Sequence, residues 1–331
     1  MKKVNLAVVG ATGMVGRTFL KVLEERALPI ENFYVFASYR SAGKKITFMG
    51  KEYTVEELTE TSFDRGIDIA LFSAGAGTSA KFAPIAAAKG CLVIDNSSQW
   101  RMDPGVPLVV PEVNPEDIMS HKGIIANPNC STIQAVAALK PLSDKYTLKR
   151  VVYSTYQSVS GAGLAGWMDL ENGLKGEAPK KFPHPIAGNC IPHIDVFLED
   201  GYTKEEKKMM DETRKILHLP ELRVTATTVR VPVFYSHSES INVEFEKSFD
   251  LPGLKNTLAA APGIIVQDDP AKDVYPLAIN AAGKDEVFVG RIRRDESVES
   301  GVNLWVVADN IRKGAATNAV QIAEVFIKSR A

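Results

Sequence analysis

Near the start of the sequence, Val4-Asn5-Leu6-Ala7-Val8-Val9-Gly10-Ala11-Thr12-Gly13-Met14-Val15-Gly16 decides the fold. A short apolar strand runs directly into a GxxGxxG turn, and residues 16–26 then have helical composition. Glycines let the backbone turn tightly and approach a pyrophosphate, which the N-terminus of the following helix stabilises. The spacing is not GxGxxG, so its place directly after the first strand carries much of the weight. Gly10, Ala11, Thr12, Gly13, Met14 and Val15 are therefore expected to bind a dinucleotide.

Outward from this turn, short apolar runs at 33–38, 69–73, 92–95 and 123–126 alternate with helical stretches at 78–89 and 131–140. That alternation implies a doubly wound parallel sheet of the Rossmann type. From about residue 150 the character changes. Strands at 151–157, 223–230, 241–246, 286–293 and 302–308 are longer and richer in Val, Thr and aromatics. Val243 and Phe245 alternate with Asn242 and Glu244, as in a mixed or antiparallel sheet with one covered face. The expected class is α/β, with a Rossmann-like first domain (1–129, completed by a C-terminal helix within 311–331) and a second α+β domain of mixed sheet (130–310). The apolar residues of 313–328 recur at helical spacing and are expected to dock on the first domain.

A chain of 331 residues is long enough for two cores. With 45% apolar and 24% charged residues, its composition is that of a globular protein. The formal net charge of −1 gives no electrostatic argument for nucleic acid or an anionic membrane. Three cysteines, Cys91, Cys130 and Cys190, do not make a secreted disulfide framework, so a reducing, cytoplasmic compartment is expected. Gly10 interrupts the weak apolar run at the N-terminus, and neither a signal peptide nor a transmembrane helix is expected. No Cys/His spacing suggests zinc, and no metal is expected.

The end of the second strand bears on the cofactor. NAD-binding folds usually place an acid there for the ribose 2′-hydroxyl. Ser38-Tyr39-Arg40-Ser41 offers a guanidinium and two hydroxyls instead, which suit a 2′-phosphate, so NADP is expected over NAD.

Cys130 follows Asn127-Pro128-Asn129 and starts a helix. The helix dipole and free backbone N–H groups favour a thiolate there, and the same donors could hold an oxyanion. Taken alone, a cysteine is more often a small buried apolar residue, which is the reading for Cys91 and Cys190.

The ordered strings GATGMVG, Ser38-Tyr39-Arg40-Ser41-Ala42-Gly43, Asn96-Ser97-Ser98 with Trp100-Arg101-Met102, Pro111-Glu112-Val113-Asn114, Asn127-Pro128-Asn129-Cys130-Ser131-Thr132, Gln157-Ser158-Val159-Ser160-Gly161-Ala162-Gly163 and Arg230-Val231-Pro232-Val233 running to His237 span essentially the whole chain, the last of the series being Asn310 and Lys313-Gly314-Ala315-Ala316. Together they closely resemble aspartate-semialdehyde dehydrogenase of the bacterial type. The resemblance implies reversible reductive dephosphorylation of L-aspartyl 4-phosphate to L-aspartate 4-semialdehyde with NADPH, through a cysteine thioester. It places the reaction in aspartate-family biosynthesis of lysine (through diaminopimelate), threonine and methionine.

By the same resemblance Cys130 is the nucleophile, and Gln157 gives acid/base assistance. An amide is a poor base, so orienting a water or the hemithioacetal is the easier role to defend. His237 orients substrate, Arg230 grips its carboxylate and Glu212 its amino group. Lys215, Arg101 and Asn129 contact phosphate, with Ser98 a weaker candidate. Ser73, Ser160, Gly161 and Asn310 join the turn, Ser38, Arg40 and Ser41 in the cofactor set. The short stretch between Lys215 and Arg230 resembles the branch found in Gram-positive-type enzymes. A homodimer is expected, with a tetramer as the alternative.

Two other enzymes share the logic. N-acetyl-glutamyl-phosphate reductase has an acetylated amine, with which Glu212 could not pair. Glyceraldehyde-3-phosphate dehydrogenase would want a Cys–His pair and an acid after the second strand. A non-catalytic dinucleotide-binding relative predicts a lost nucleophile, whereas Cys130, Gln157, Arg230 and His237 are all present.

Overall fold

The computed structural model describes residues 3–330, and the chain divides into one unit of residues 1–128 and 315–331 and another of 129–314. The first unit contains β1 (Val4–Val9), α1 (Met14–Glu25), β2 (Ile30–Ala37), β3 (Lys45–Phe48), β4 (Lys51–Thr54), β5 (Glu56–Glu57), β6 (Ile69–Phe72), α2 (Ala76–Ala88), β7 (Leu92–Asp95) and β8 (Ile124–Ala126). Six strands form an all-parallel sheet in the order β5-β2-β1-β6-β7-β8. β6 and β7 are buried at every position, which explains their uninterrupted apolar sequences.

The hairpin β3–β4 was not anticipated. Its exposed Lys and Glu residues hide the strand pattern, and Met49 and Gly50 at its tip both have positive φ (48° and 72°), as a two-residue hairpin turn requires. The C-terminal helix Asn318–Ser329 closes this unit. It buries Ala319, Val320, Ile322, Ala323, Phe326 and Ile327 in the same core as Phe19, Leu20 and Leu23 of α1. Arg26 also donates to both oxygens of Glu324 at 2.7 Å.

The second unit contains α3 (Cys130–Tyr146), β9 (Leu148–Gln157), α4 (Gly163–Gly173), α5 (Lys204–Ile216), β10 (Arg223–Arg230), β11 (His237–Phe245), α6 (Leu251–Ala259), β12 (Ile264–Val266), β13 (Val287–Asp295) and β14 (Gly301–Ala308). Its sheet runs β10-β9-β11-β14-β13-β12, with the two outer pairs parallel and the inner pairs antiparallel. The expected combination of a parallel and a mixed sheet is therefore present. Val151 and Tyr153 of β9 and Ile241, Val243 and Phe245 of β11 pack against α3, α5 and α6.

Among the boundaries that differ from expectation, two have a clear physical cause. α3 continues through Pro141 to Tyr146, because burial of Leu142 and Tyr146 outweighs the backbone hydrogen bond that proline removes. β11 begins at His237 rather than 241, since Ser238 and Glu239 pair with both β9 and β14 despite their polarity. Its first residues are thus buried polar groups at the end of an otherwise apolar face. Among the described residues no helix is long and apolar enough to cross a membrane.

Candidate active site

In the first unit, the backbone at Gly10 has φ +85°, and a Cβ there would lie 2.3 Å from the Ser73 carbonyl oxygen. At Gly16 a Cβ would meet the Gly10 carbonyl oxygen at 2.2 Å. The turn is thus closed onto the ends of β1 and β6 with no room for side chains, and its backbone is open to close approach. Gly13 is the N-cap of α1, with no side-chain cap on the helix donors. Thr12 Oγ1 reaches Ser41 Oγ at 3.4 Å, which sets the β2 loop beside the turn. In that loop the Ser41 N–H donates to the Ser38 carbonyl at 2.8 Å. Arg40 is exposed, and its Nε donates to Tyr39 Oη at 3.1 Å. Capless helix donors, neighbouring hydroxyls and an exposed guanidinium fit a phosphorylated dinucleotide.

Arg101 also belongs to this unit. It is buried and oriented by the carbonyls of Asn127 and Asn96, each at 3.0 Å. Ser98 lies on the same loop, between Asn96 and Arg101.

The second unit assembles the remaining residues. Cys130 is the first residue of α3 and half-buried. Asn129 caps this helix, its Oδ1 accepting from the N–H groups of Ser131 (3.0 Å) and Thr132 (3.2 Å). Those two donors are consumed by the cap, which corrects the expectation that they stand free for an oxyanion. Gly314 packs on Cys130, since a Cβ there would lie 2.9 Å from Cys130 Cβ.

α5 starts with a capping box in which Thr203 and Glu206 satisfy each other's backbone. Glu206 also accepts from the Thr228 N–H of β10 at 3.0 Å, fixing the rotation of α5 against the sheet. Glu205, Lys208, Glu212 and Lys215 therefore share one helical face. Glu212 Oε2 accepts from the Asn129 backbone N–H at 2.6 Å. Glu205 Oε1 accepts from Asn129 Nδ2 at 2.8 Å and from Gln157 Nε2 at 3.4 Å. Lys208 Nζ lies 3.2 Å from Glu205 Oε2 and 2.6 Å from Asp195. Burial works against the charge on Glu205, but Lys208 and the Asn129 hydrogen bond outweigh it and hold the carboxyl below its ordinary range. Glu205 and Lys208 were missed in the sequence. The available signal was their spacing of seven and four residues before Glu212, which places all three on one face.

Arg230 and Gln157 are cross-strand partners at the ends of β10 and β9. Arg230 is buried, with Nη1 donating to the Ser158 carbonyl at 2.6 Å and Nε without a partner. Burial lowers its pKa, against the opposing influence of Glu205 and Cys130. His237 is fully buried, and its Nδ1 accepts from the Ser158 N–H at 3.0 Å while Nε2 has no partner. Burial first, and the Arg230 charge second, push its pKa well below 6.5, so the ring is neutral with its hydrogen on Nε2. A Cβ at Gly161 would come within 2.9 Å of Arg230 Nη1 and 3.2 Å of His237 Nε2. Only glycine leaves both groups uncovered.

Asn310 Oδ1 accepts from the Ser236 N–H and from the hydroxyls of Ser158 and Ser160, bracing the loop that presents Gly161. Two residues along β11 from His237, Glu239 is fully buried. Burial raises its pKa well above 4.5, and the facing Ser131 hydroxyl relieves this only in part. Lys215, half-buried, lies in the last turn of α5.

Two family models match the chain: "Semialdehyde dehydrogenase, NAD binding domain" over residues 5–121, and "Semialdehyde dehydrogenase, dimerisation domain" over 139–313. The aspartate-semialdehyde dehydrogenase of Aquifex aeolicus (strain VF5) is 62% identical over 333 residues, covering 98% of each chain. That of Bacillus subtilis (strain 168) is 49% identical over 338 residues, covering 98% of this chain and 97% of the relative. Among solved structures, aspartate semialdehyde dehydrogenase II from Vibrio cholerae complexed with ASA superposes with a TM-score of 0.95 at 49% identity, covering 99% of each chain. The Candida albicans enzyme with NADP superposes with a TM-score of 0.78 at 28% identity, covering 98% of each.

Proposed function

Since the chain belongs to the aspartate-semialdehyde dehydrogenase family, we propose that it converts L-aspartyl 4-phosphate and NADPH to L-aspartate 4-semialdehyde, NADP and phosphate, reversibly, through a thioester on Cys130. The observation that carries this reading is the grouping, within one unit, of Cys130 at a capped helix N-terminus with Arg230, His237, Gln157 and Glu212. Two of these groups, Arg230 Nε and His237 Nε2, are buried donors without a protein partner. Such donors are costly unless a ligand oxygen completes them.

In this mechanism the Cys130 thiolate attacks the acyl carbon of aspartyl phosphate and expels phosphate, leaving a thioester. Arg230 holds the α-carboxylate and Glu212 the ammonium group. His237, neutral, donates from Nε2 to a substrate oxygen, since it has no proton to spare as an acid. Lys215, Arg101 and Asn129 serve the phosphate, with Ser98 a weaker candidate. NADPH supplies the hydride that takes the thioester to the aldehyde oxidation level. Collapse of the hemithioacetal then returns the Cys130 thiolate.

For the cofactor, the turn from Gly10 to Val15 takes the pyrophosphate, and Ser38, Arg40 and Ser41 the 2′-phosphate, with Ser73, Ser160, Gly161 and Asn310 completing the set. The product would serve the aspartate-family amino acids in the cytoplasm. The sheet face opposite α3 carries exposed Tyr156 against Trp305, with ring centroids 5.5 Å apart, and suits a homodimer or a larger assembly built from it. Phosphate-dependent NADPH formation from aspartate semialdehyde is expected in the intact protein and is abolished in Cys130→Ser. Activity surviving in that variant would end the thioester reading. Arg40→Ala is expected to raise the KM for NADP and leave that for NAD unchanged, whereas equal effects on both would remove the 2′-phosphate assignment.

A further inference from the structure

We infer that Glu205 is a positioning residue for this reaction, taking the amide hydrogens of Gln157 and so leaving the Gln157 carbonyl oxygen to face the chemistry at Cys130. The inference rests on the reading that Gln157 serves Cys130. Gln157 is buried at the end of β9, and its Nε2 lies 3.2 Å from Thr155 Oγ1 and 3.4 Å from Glu205 Oε1. A hydroxyl can donate or accept, so Thr155 leaves the amide free to turn over. An ionised carboxylate only accepts. Reversing the amide would set the Gln157 carbonyl oxygen against a buried anion, so Glu205 decides which end points away.

The same Oε1 accepts from Asn129 Nδ2 at 2.8 Å, while Asn129 Oδ1 is committed to the first turn of α3. One oxygen of Glu205 thus orients two amides, that of Gln157 and that of the residue preceding the nucleophile. The other oxygen, with Lys208 at 3.2 Å and Asp195 behind it, keeps the anion in place. The consequence is chemical. Gln157 acts through Oε1, as an acceptor for an S–H, a water or the hydroxyl of the hemithioacetal. It cannot donate to a thioester oxygen or an oxyanion, whose donors must come from elsewhere.

The test is a double-variant cycle in the full-length protein, read by steady-state kinetics. Glu205→Ala is expected to lower kcat by about tenfold or more, with the KM for aspartate semialdehyde changed less than about threefold. In a Gln157→Ala background the same change should cost clearly less than in the wild type, because one of its two amide targets is gone and only Asn129 remains. A wild-type kcat in Glu205→Ala, or its full loss repeated in the Gln157→Ala background, overturns the inference. If Gln157→Ala itself keeps full kcat, the reading of Gln157 falls first and takes this inference with it.

Glu205→Gln keeps the side-chain shape and provides a second measurement should the alanine variant fail to fold. The Gln157 side-chain amide resonance, assigned by its loss in Gln157→Ala, should move in Glu205→Gln. An unmoved resonance rules out the carboxylate contact whatever the kinetics show.

Discussion

The backbone N–H of Ser158 donates to Nδ1 of His237 across 3.0 Å, so Nδ1 bears the lone pair and Nε2 the hydrogen. Residue 158 follows Gln157, at the end of β9, and His237 starts β11. One hydrogen bond thereby sets the chemical identity of a buried imidazole from the strand beside it.

Its first consequence is for stability. Burial and the Arg230 charge keep His237 neutral when folded, with a pKa well below 6.5. The unfolded chain takes up a proton near pH 6.5, about its ordinary value. The unfolded state therefore binds more protons below that pH, and the stability due to a neutral His237 is lost as pH falls from there toward the folded value. Urea midpoints should fall more between about pH 7.5 and pH 5.5 in the wild type than in His237→Gln. Parallel losses in the two proteins would show that the ring is not buried neutral.

Glu239 carries the opposite sign. Burial raises its folded pKa well above 4.5, so it stays protonated while the unfolded chain ionises. Wild-type stability is whole below the unfolded pKa and declines as pH rises toward the folded one. Glu239→Gln should therefore gain in melting temperature over the wild type as pH rises from about 4.5 to 8. A difference that stays constant with pH would contradict this.

Gly314 meets Cys130 with no room to spare, since a Cβ there would lie 2.9 Å from Cys130 Cβ and 3.2 Å from its Cα. Gly314→Ala must push Cys130 or its own π-helical turn (Arg312–Thr317) aside. Its kcat is expected to fall roughly tenfold to a hundredfold, with alkylation of Cys130 by iodoacetamide altered in the same variant. Normal kcat and normal alkylation would mean that the packing relaxes without moving the thiol.

At Gly10, backbone conformation and collision act together. The φ of +85° and a 2.3 Å approach to the Ser73 carbonyl leave alanine no comfortable place. Gly10→Ala should destabilise the protein by about 1–3 kcal/mol or more and weaken NADP binding. Calorimetry showing unchanged melting and unchanged affinity would place the tightness elsewhere.

Much of this was legible because it is local. An apolar strand followed by GxxGxxG needs no distant partner to be read as a strand-to-helix turn, and the Val- and Thr-rich strands after residue 150 announce a second sheet by their alternation. The hairpin of β3 and β4 was not legible, since charged residues carry its exposed faces and only the paired positive-φ turn betrays it. Nor was the start of β11, where Ser238 and Glu239 read as loop but are held by two neighbouring strands.

The sequence by itself determined the types of the main elements of both sheets, the glycine turn, and the residue types that chemistry at a thiol requires. Only the tertiary structure decided how those side chains are protonated and oriented. The tautomer of His237 follows from the N–H of Ser158, 79 residues earlier, and the neutral state of Glu239 from the desolvation of its strand face. The amide direction of Gln157 follows from Glu205, 48 residues later. Hydrogen-bond polarity and burial depend on which strand and helix come to lie alongside, and no local pattern in the chain carries that information.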